Sequence, residues 1–176
     1  NKLLSLDKLD EAVRERANYT LAKSLLANQN TGQAIEEFKR LTKAKNPEYA
    51  AEAQYTLAEL NFMAGKIDEA EKIIHQINAN PSSEYYLAKA FILWADIFKS
   101  KGNTLQAKQT LQSIIDNYEG DEELIETARQ KLISLTMQQE KTQQEKQEKR
   151  QEQQEAQQDT EAPLGHTPRR ARMGLD

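Results

Sequence analysis

Along the first 138 residues the apolar positions return every three or four places, the period of an amphipathic α-helix. No stretch shows the strict alternation of a half-buried strand, so no strands are expected. The pattern predicts helices over 10–28, 31–45, 47–64, 67–79, 83–101, 104–118 and 121–138. The breaks between them have local causes. Asn46 before Pro47 is an N-cap followed by proline in the first turn, where the missing N–H costs nothing. Pro81 with Ser82 and Ser83 acts similarly two helices later. Gly65 and Gly102 stand where a chain leaves a helix and needs the left-handed conformation. Thr31, the pair Asn103-Thr104, and Asp121 after Gly120 are the remaining helix starts.

A longer period overlies the helical one. Ala17-Asn18-Tyr19-Thr20-Leu21-Ala22 returns 36 residues later as Ala53-Gln54-Tyr55-Thr56-Leu57-Ala58. A looser copy, Ala90-Phe91-Ile92-Leu93-Trp94-Ala95, follows after a further 37. Each copy lies on the first of two consecutive helices, and the second helix carries an alanine at a fixed offset. Ala22 pairs with Ala34, Ala58 with Ala70, and Ala95 with Ala107, always 12 residues apart. Two helices joined by a tight turn approach closely only where both present a small side chain. Four and seven residues beyond each second alanine stand Phe38 and Leu41, Ile74 and Ile77, Leu111 and Ile114. That spacing is an apolar stripe along one helix face. A repeat of this length means stacked hairpins, and such arrays bind other molecules along a surface.

These residues resemble the tetratricopeptide repeat (TPR) family, whose unit is a 34-residue helix–turn–helix with small residues at the crossing. The resemblance covers about residues 10–118, with 121–138 like the family's terminal capping helix. It implies an all-α fold, a TPR-like α-solenoid of about three hairpins (10–45, 47–79, 83–118) plus a cap. The chain departs from the family pattern in its longer periods and in having Gln29 and Asn30 at the first turn. Leu25, Asn61 and Phe98 replace the family's tyrosine in the first helix. The long period and the Tyr-x-Leu-Ala pattern look like bacterial envelope members, which favours the periplasm over the cytoplasm. Residues 1–9, with Leu3, Leu4, Leu6 and Leu9, read as the end of an upstream repeat or a connector. In 121–138, Ile133 takes the place of the crossing alanine, as befits a helix with no second helix to meet.

Composition divides the chain. Between Gln138 and Ala162 there is no Leu, Ile, Val, Phe, Tyr, Trp or Met. Residues 139–176 form a Gln/Glu/Lys-rich tail, expected to continue the capping helix in frayed form and then to become disordered. Net charge is −4 with both signs interspersed, so the basic excess needed for nucleic acid is missing. No apolar run approaches the roughly 20 residues that span a bilayer. Without cysteine there is neither a disulfide nor a thiolate metal site.

Candidates for catalysis are few. His75 falls between Ile74 and Ile77 at the expected edge of a helix, and His166 lies in the tail. Neither has a partner at metal-ligand or triad spacing. Adjacent carboxylates such as Glu36-Glu37 and Glu122-Glu123 point to different sides of a helix. No glycine-rich phosphate loop occurs. The sequence therefore implies no enzyme, cofactor or metal.

The resemblance implies that the first helix of each pair lines a concave surface. On that side fall Tyr19, Lys23 and Leu26; then Tyr55, Glu59 and Phe62, with Met63 beside them; then Ile92, Asp96 and Lys99. Two readings of this face stand. Its aromatic and charged groups form a groove for a protein or peptide partner, or its aromatic groups pack between neighbouring repeats. Of the family's grip on a partner's terminal carboxylates, only Lys23 fits among Tyr19, Lys23, Glu52 and Thr56. The expected function is a non-catalytic scaffold or adaptor. The alternatives are an assembly module of a bacterial envelope complex and an accessory domain of an upstream enzyme.

Overall fold

The computed structural model describes the backbone of residues 2–161 and the side chains of 10–154. Among the described residues there are seven helices and no strand: α1 (Lys2–Ala27), α2 (Thr31–Leu41), α3 (Pro47–Met63), α4 (Ile67–Ala79), α5 (Glu84–Ser100), α6 (Thr104–Asn117) and α7 (Glu122–Glu161). The chain divides into two compact units, Asn1–Thr136 and Met137–Asp176.

In the first unit the alanine crossings set the architecture. Ala22, Ala34, Ala58, Ala70 and Ala107 are 0% exposed and Ala95 is 1% exposed. Each pair falls in one apolar cluster, with no room beyond the methyl groups. Beside each crossing sits one large, wholly buried side chain from the second helix: Phe38, Ile74 or Leu111. Each contributes about 1.5–3 kcal/mol of burial. The clusters chain the helices together. The first holds α1, α2 and α3, the second α3, α4 and α5, and the third α5, α6 and α7. Every second helix is thus held between two first helices, as in a TPR-like α-solenoid.

The caps follow the local chemistry, with exceptions. Asn46 Oδ1 accepts from the backbone N–H groups of Glu48 (3.0 Å) and Tyr49 (3.3 Å). Asp121 Oδ1 accepts from Leu124 N–H at 2.9 Å. Ser83 and Asn103 occupy N-cap positions without a side-chain bond, and Asn30, not Thr31, precedes α2. Gly65 and Gly102 are left-handed, at φ 74° and 78°.

Three boundaries differ from expectation. α2 ends at Leu41 rather than 45, where Lys43 and Ala44 donate to carbonyls three residues back in a closing turn. α1 begins at Lys2 rather than near residue 10, because its leading Leu, Lys and Asp contain no helix breaker. α7 runs unbroken to Glu161, where fraying was expected after 138. Gln, Glu and Lys are strong helix formers, and among them no glycine or proline intervenes. The side chains of residues 1–9, and the segment 162–176 read as disordered, lie outside the described residues.

Candidate partner-binding face

The first helices α1, α3, α5 and α7 stand side by side, and the predicted face is where their polar and aromatic groups meet. Between α1 and α3, Tyr19 Oη donates to Glu52 Oε2 at 2.7 Å, and Lys23 Nζ donates to Glu52 Oε1 at 2.6 Å. The Tyr19 ring stacks on Tyr49, with centroids 4.3 Å apart and planes 12° apart. Burial tends to raise the Glu52 pKa. Hydrogen bonds from Lys23, Tyr86 and Tyr19 outweigh it and hold Glu52 below the ordinary carboxylate value. Lys23 moves up, chiefly through its bond to Glu52. Tyr19 moves up through burial, reinforced by the same carboxylate.

Between α3 and α5 the charges are reversed. Glu59 occupies the position that Lys23 holds on α1, and Lys89 occupies that of Glu52 on α3. Tyr55, only 8% exposed, donates to Glu59 Oε1 on its own helix at 2.7 Å. Lys89 Nζ lies 4.3 Å from the Tyr55 ring centroid and 5.7 Å from those of Tyr85 and Tyr86. Burial drives Tyr55 and Tyr86 well above the ordinary tyrosine pKa, helped by Glu59 and Glu52 respectively. Between α5 and α7, Lys131 Nζ reaches Asp96 Oδ1 at 2.8 Å and Oδ2 at 2.9 Å.

The predicted residues therefore separate into kinds. Tyr19, Lys23, Tyr55, Glu59 and Asp96 are tied into contacts within and between first helices. Leu26 and Phe62 are half-buried against the clusters, as is Ile92. Lys99 is exposed, and Met63 is 76% exposed at the end of α3. Tyr49, Tyr85, Tyr86, Lys89 and Lys131 also belong to this face and were not singled out by sequence. Lys89 and Tyr86 stand three and six residues before Ile92. Extending the helical face one and two turns toward the N-terminus would have found them.

A groove of about 230 Å³ opens where α5 meets the start of α7. Tyr55, Lys89, Ile92 and Tyr85 line one side, and Asp121 and Glu123 line the other. Tyr85 is 39% exposed there, so its ring is available to a ligand. A larger hollow of about 490 Å³, between α1 and the turn before α3, already has matched polar groups. Glu15 accepts from the backbone N–H groups of Lys45 and Asn46, and Glu11 pairs with the Lys45 ammonium.

His75 is exposed on α4, with its ring edge-on to Trp94 at 4.8 Å. Among the described residues no three His, Cys, Asp or Glu side chains converge as a metal site, and no helix is long and apolar enough to cross a membrane. Two family models match the chain, each described as tetratricopeptide repeat, one over residues 25–92 and the other over 84–120. Comparison with curated proteins gives no match.

Proposed function

Because the chain belongs to the tetratricopeptide repeat family, we propose that it is a non-catalytic scaffold that holds a segment of a protein partner against its first helices. The family's repeats mediate protein–protein contacts, which supports the class of function. One observation carries the location. Three lysines bridge neighbouring first helices. Lys23 and Lys131 are matched to Glu52 and Asp96. Lys89, among the described residues, forms no ion pair and lies against three tyrosine rings, with Asp121 and Glu123 across the groove. An ammonium held on an aromatic shelf beside an open groove offers its remaining N–H groups to an incoming oxygen. A partner segment would place a carboxylate or carbonyl oxygen at Lys89 and an apolar side chain against Tyr85 and Ile92. Binding then rests on shape and charge complementarity.

The double variant Tyr85→Ala with Lys89→Ala tests this. It should keep its melting temperature within a few degrees and lose partner affinity by at least about tenfold, the loss expected when anchor residues are truncated. Undiminished binding would place the partner elsewhere. The identity of the captured protein then fixes the finer role. An envelope component makes the chain an assembly module, and a catalytic domain makes it an enzyme's accessory part.

A further inference from the structure

The three hairpins can be compared position by position where the second helix ends beside the first. In the first hairpin a carboxylate there meets an ammonium, for Glu11 on α1 pairs with Lys45 beyond the end of α2. The repeat distances of 36 and 37 residues carry Glu11 to Pro47 and then to Glu84, and Lys45 to Pro81 and then to Tyr118. The third hairpin thus keeps the carboxylate and lacks the cation. Glu119, the counterpart of Ser82, adds a second carboxylate. Both are exposed, and among the described residues neither Glu84 nor Glu119 forms an ion pair.

The two carboxylates border a hollow of about 370 Å³ between the start of α5 and the end of α6. That is within the roughly 300–1,000 Å³ of ligand pockets. Its apolar wall is Leu87, Phe91, Ile114 and Tyr118. Leu87 and Phe91 replace Ala50 and Gln54 of the second hairpin, and Arg14 and Asn18 of the first. Only the third hairpin therefore brings two aromatic rings to this place. Both rings are braced. Tyr118 Oη accepts from the Asp121 backbone N–H at 3.1 Å, and Gly120 leaves room for that hydroxyl where any Cβ would collide with it. Phe91 meets Trp94 edge-on, with centroids 5.7 Å apart. Both charged residues lining the hollow are acidic. We propose that it binds an arginine side chain of a protein partner. The guanidinium sits at Glu84 and Glu119, and the stem lies along Leu87 and Phe91. The partner supplies from outside the cation that Lys45 supplies within the first hairpin. Arginine fits better than lysine, because a planar guanidinium both stacks on rings and pairs with carboxylates through two N–H groups. This site is separate from the groove at Lys89. Glu84, Leu87 and Phe91 line the one, and Tyr85, Lys89 and Ile92 line the other, on different sides of α5.

Methyl NMR of the isoleucine-labelled whole chain tests this, with the capped tripeptide N-acetyl-Leu-Arg-Leu amide as probe. One anchor residue gives millimolar affinity, so the titration runs to about 10 mM. The Ile114 methyl signal should shift and saturate, whereas Ile92, in the groove beside Lys89, should stay in place. The same peptide with citrulline, the neutral isostere of arginine, should bind at least about fivefold more weakly. The double variant Glu84→Gln with Glu119→Gln should lose the same factor for the arginine peptide and none for the citrulline peptide. Its melting temperature should stay within a few degrees, because both carboxylates are exposed. An unmoved Ile114 signal overturns the proposal. So does equal affinity of the two peptides, or undiminished binding of the arginine peptide to the double variant.

Discussion

A methyl group is all that the crossing of α3 and α4 admits, since Ala58 and Ala70 are 0% exposed. Ala58→Leu should therefore strain the hairpin and cost about 1–3 kcal/mol, read as a lower urea midpoint. The residue scale also sets the pH response. Glu52 has a lowered folded pKa. Its stabilising contribution is complete above the ordinary carboxylate value of 4.5 and disappears as pH falls through the lower folded value. Lys23, Tyr19, Tyr55 and Tyr86 are all raised. Their contributions are complete below 10.0 for the tyrosines and 10.5 for the lysine, and are lost as pH rises through the folded values. Stability against pH should fall off at both ends. Glu52→Gln should flatten the acid limb in a series of urea titrations. If that limb is unchanged, Glu52 is not the group responsible. The six buried crossing alanines were legible in the sequence because the repeat marks them. Lys89 and Tyr85 were not, because they precede the repeated hexapeptide and differ from their counterparts Glu52 and Glu48.

At the scale of the element, three turns share one backbone design but not one residue. Asn30, Lys66 and Asn103 each donate an N–H to a carbonyl five residues back, at 2.8, 2.9 and 2.8 Å. The residue before each is left-handed. It is glycine in two turns, and Gln29 with φ 61° in the first. A side chain in that conformation costs about 1–2 kcal/mol. Gln29→Gly should raise stability by up to about 1 kcal/mol, less the entropy that glycine adds to the unfolded chain. Gly65→Ala should lower it by a similar amount, and denaturant melts of the two variants should move in opposite directions. The sequence displayed this turn by its missing glycine. It was less informative about helix ends. α1 and α7 outrun their predicted bounds because strong helix formers continue where the apolar period stops, and periodicity reports burial rather than helicity.

For the molecule as a whole, stability is approximately a sum over neighbouring repeats, so each second helix is held from two sides. The same stacking aligns the first helices and gathers tyrosines and opposite charges onto one face. Sequence alone left that face open between groove and packing. The structure holds both kinds of residue, for Tyr55 is enclosed while Tyr85 and Lys89 border open space. The proposed scaffold role therefore turns on whether a partner lies on the first helices. The most direct measurement replaces Tyr85 with a photo-crosslinking phenylalanine analogue, and Gln76, exposed on α4, in a parallel sample. Illumination in the presence of the partner should give a covalent adduct from position 85 and none from position 76. An adduct from 76 alone, or equal yields from both, would contradict binding along the first helices.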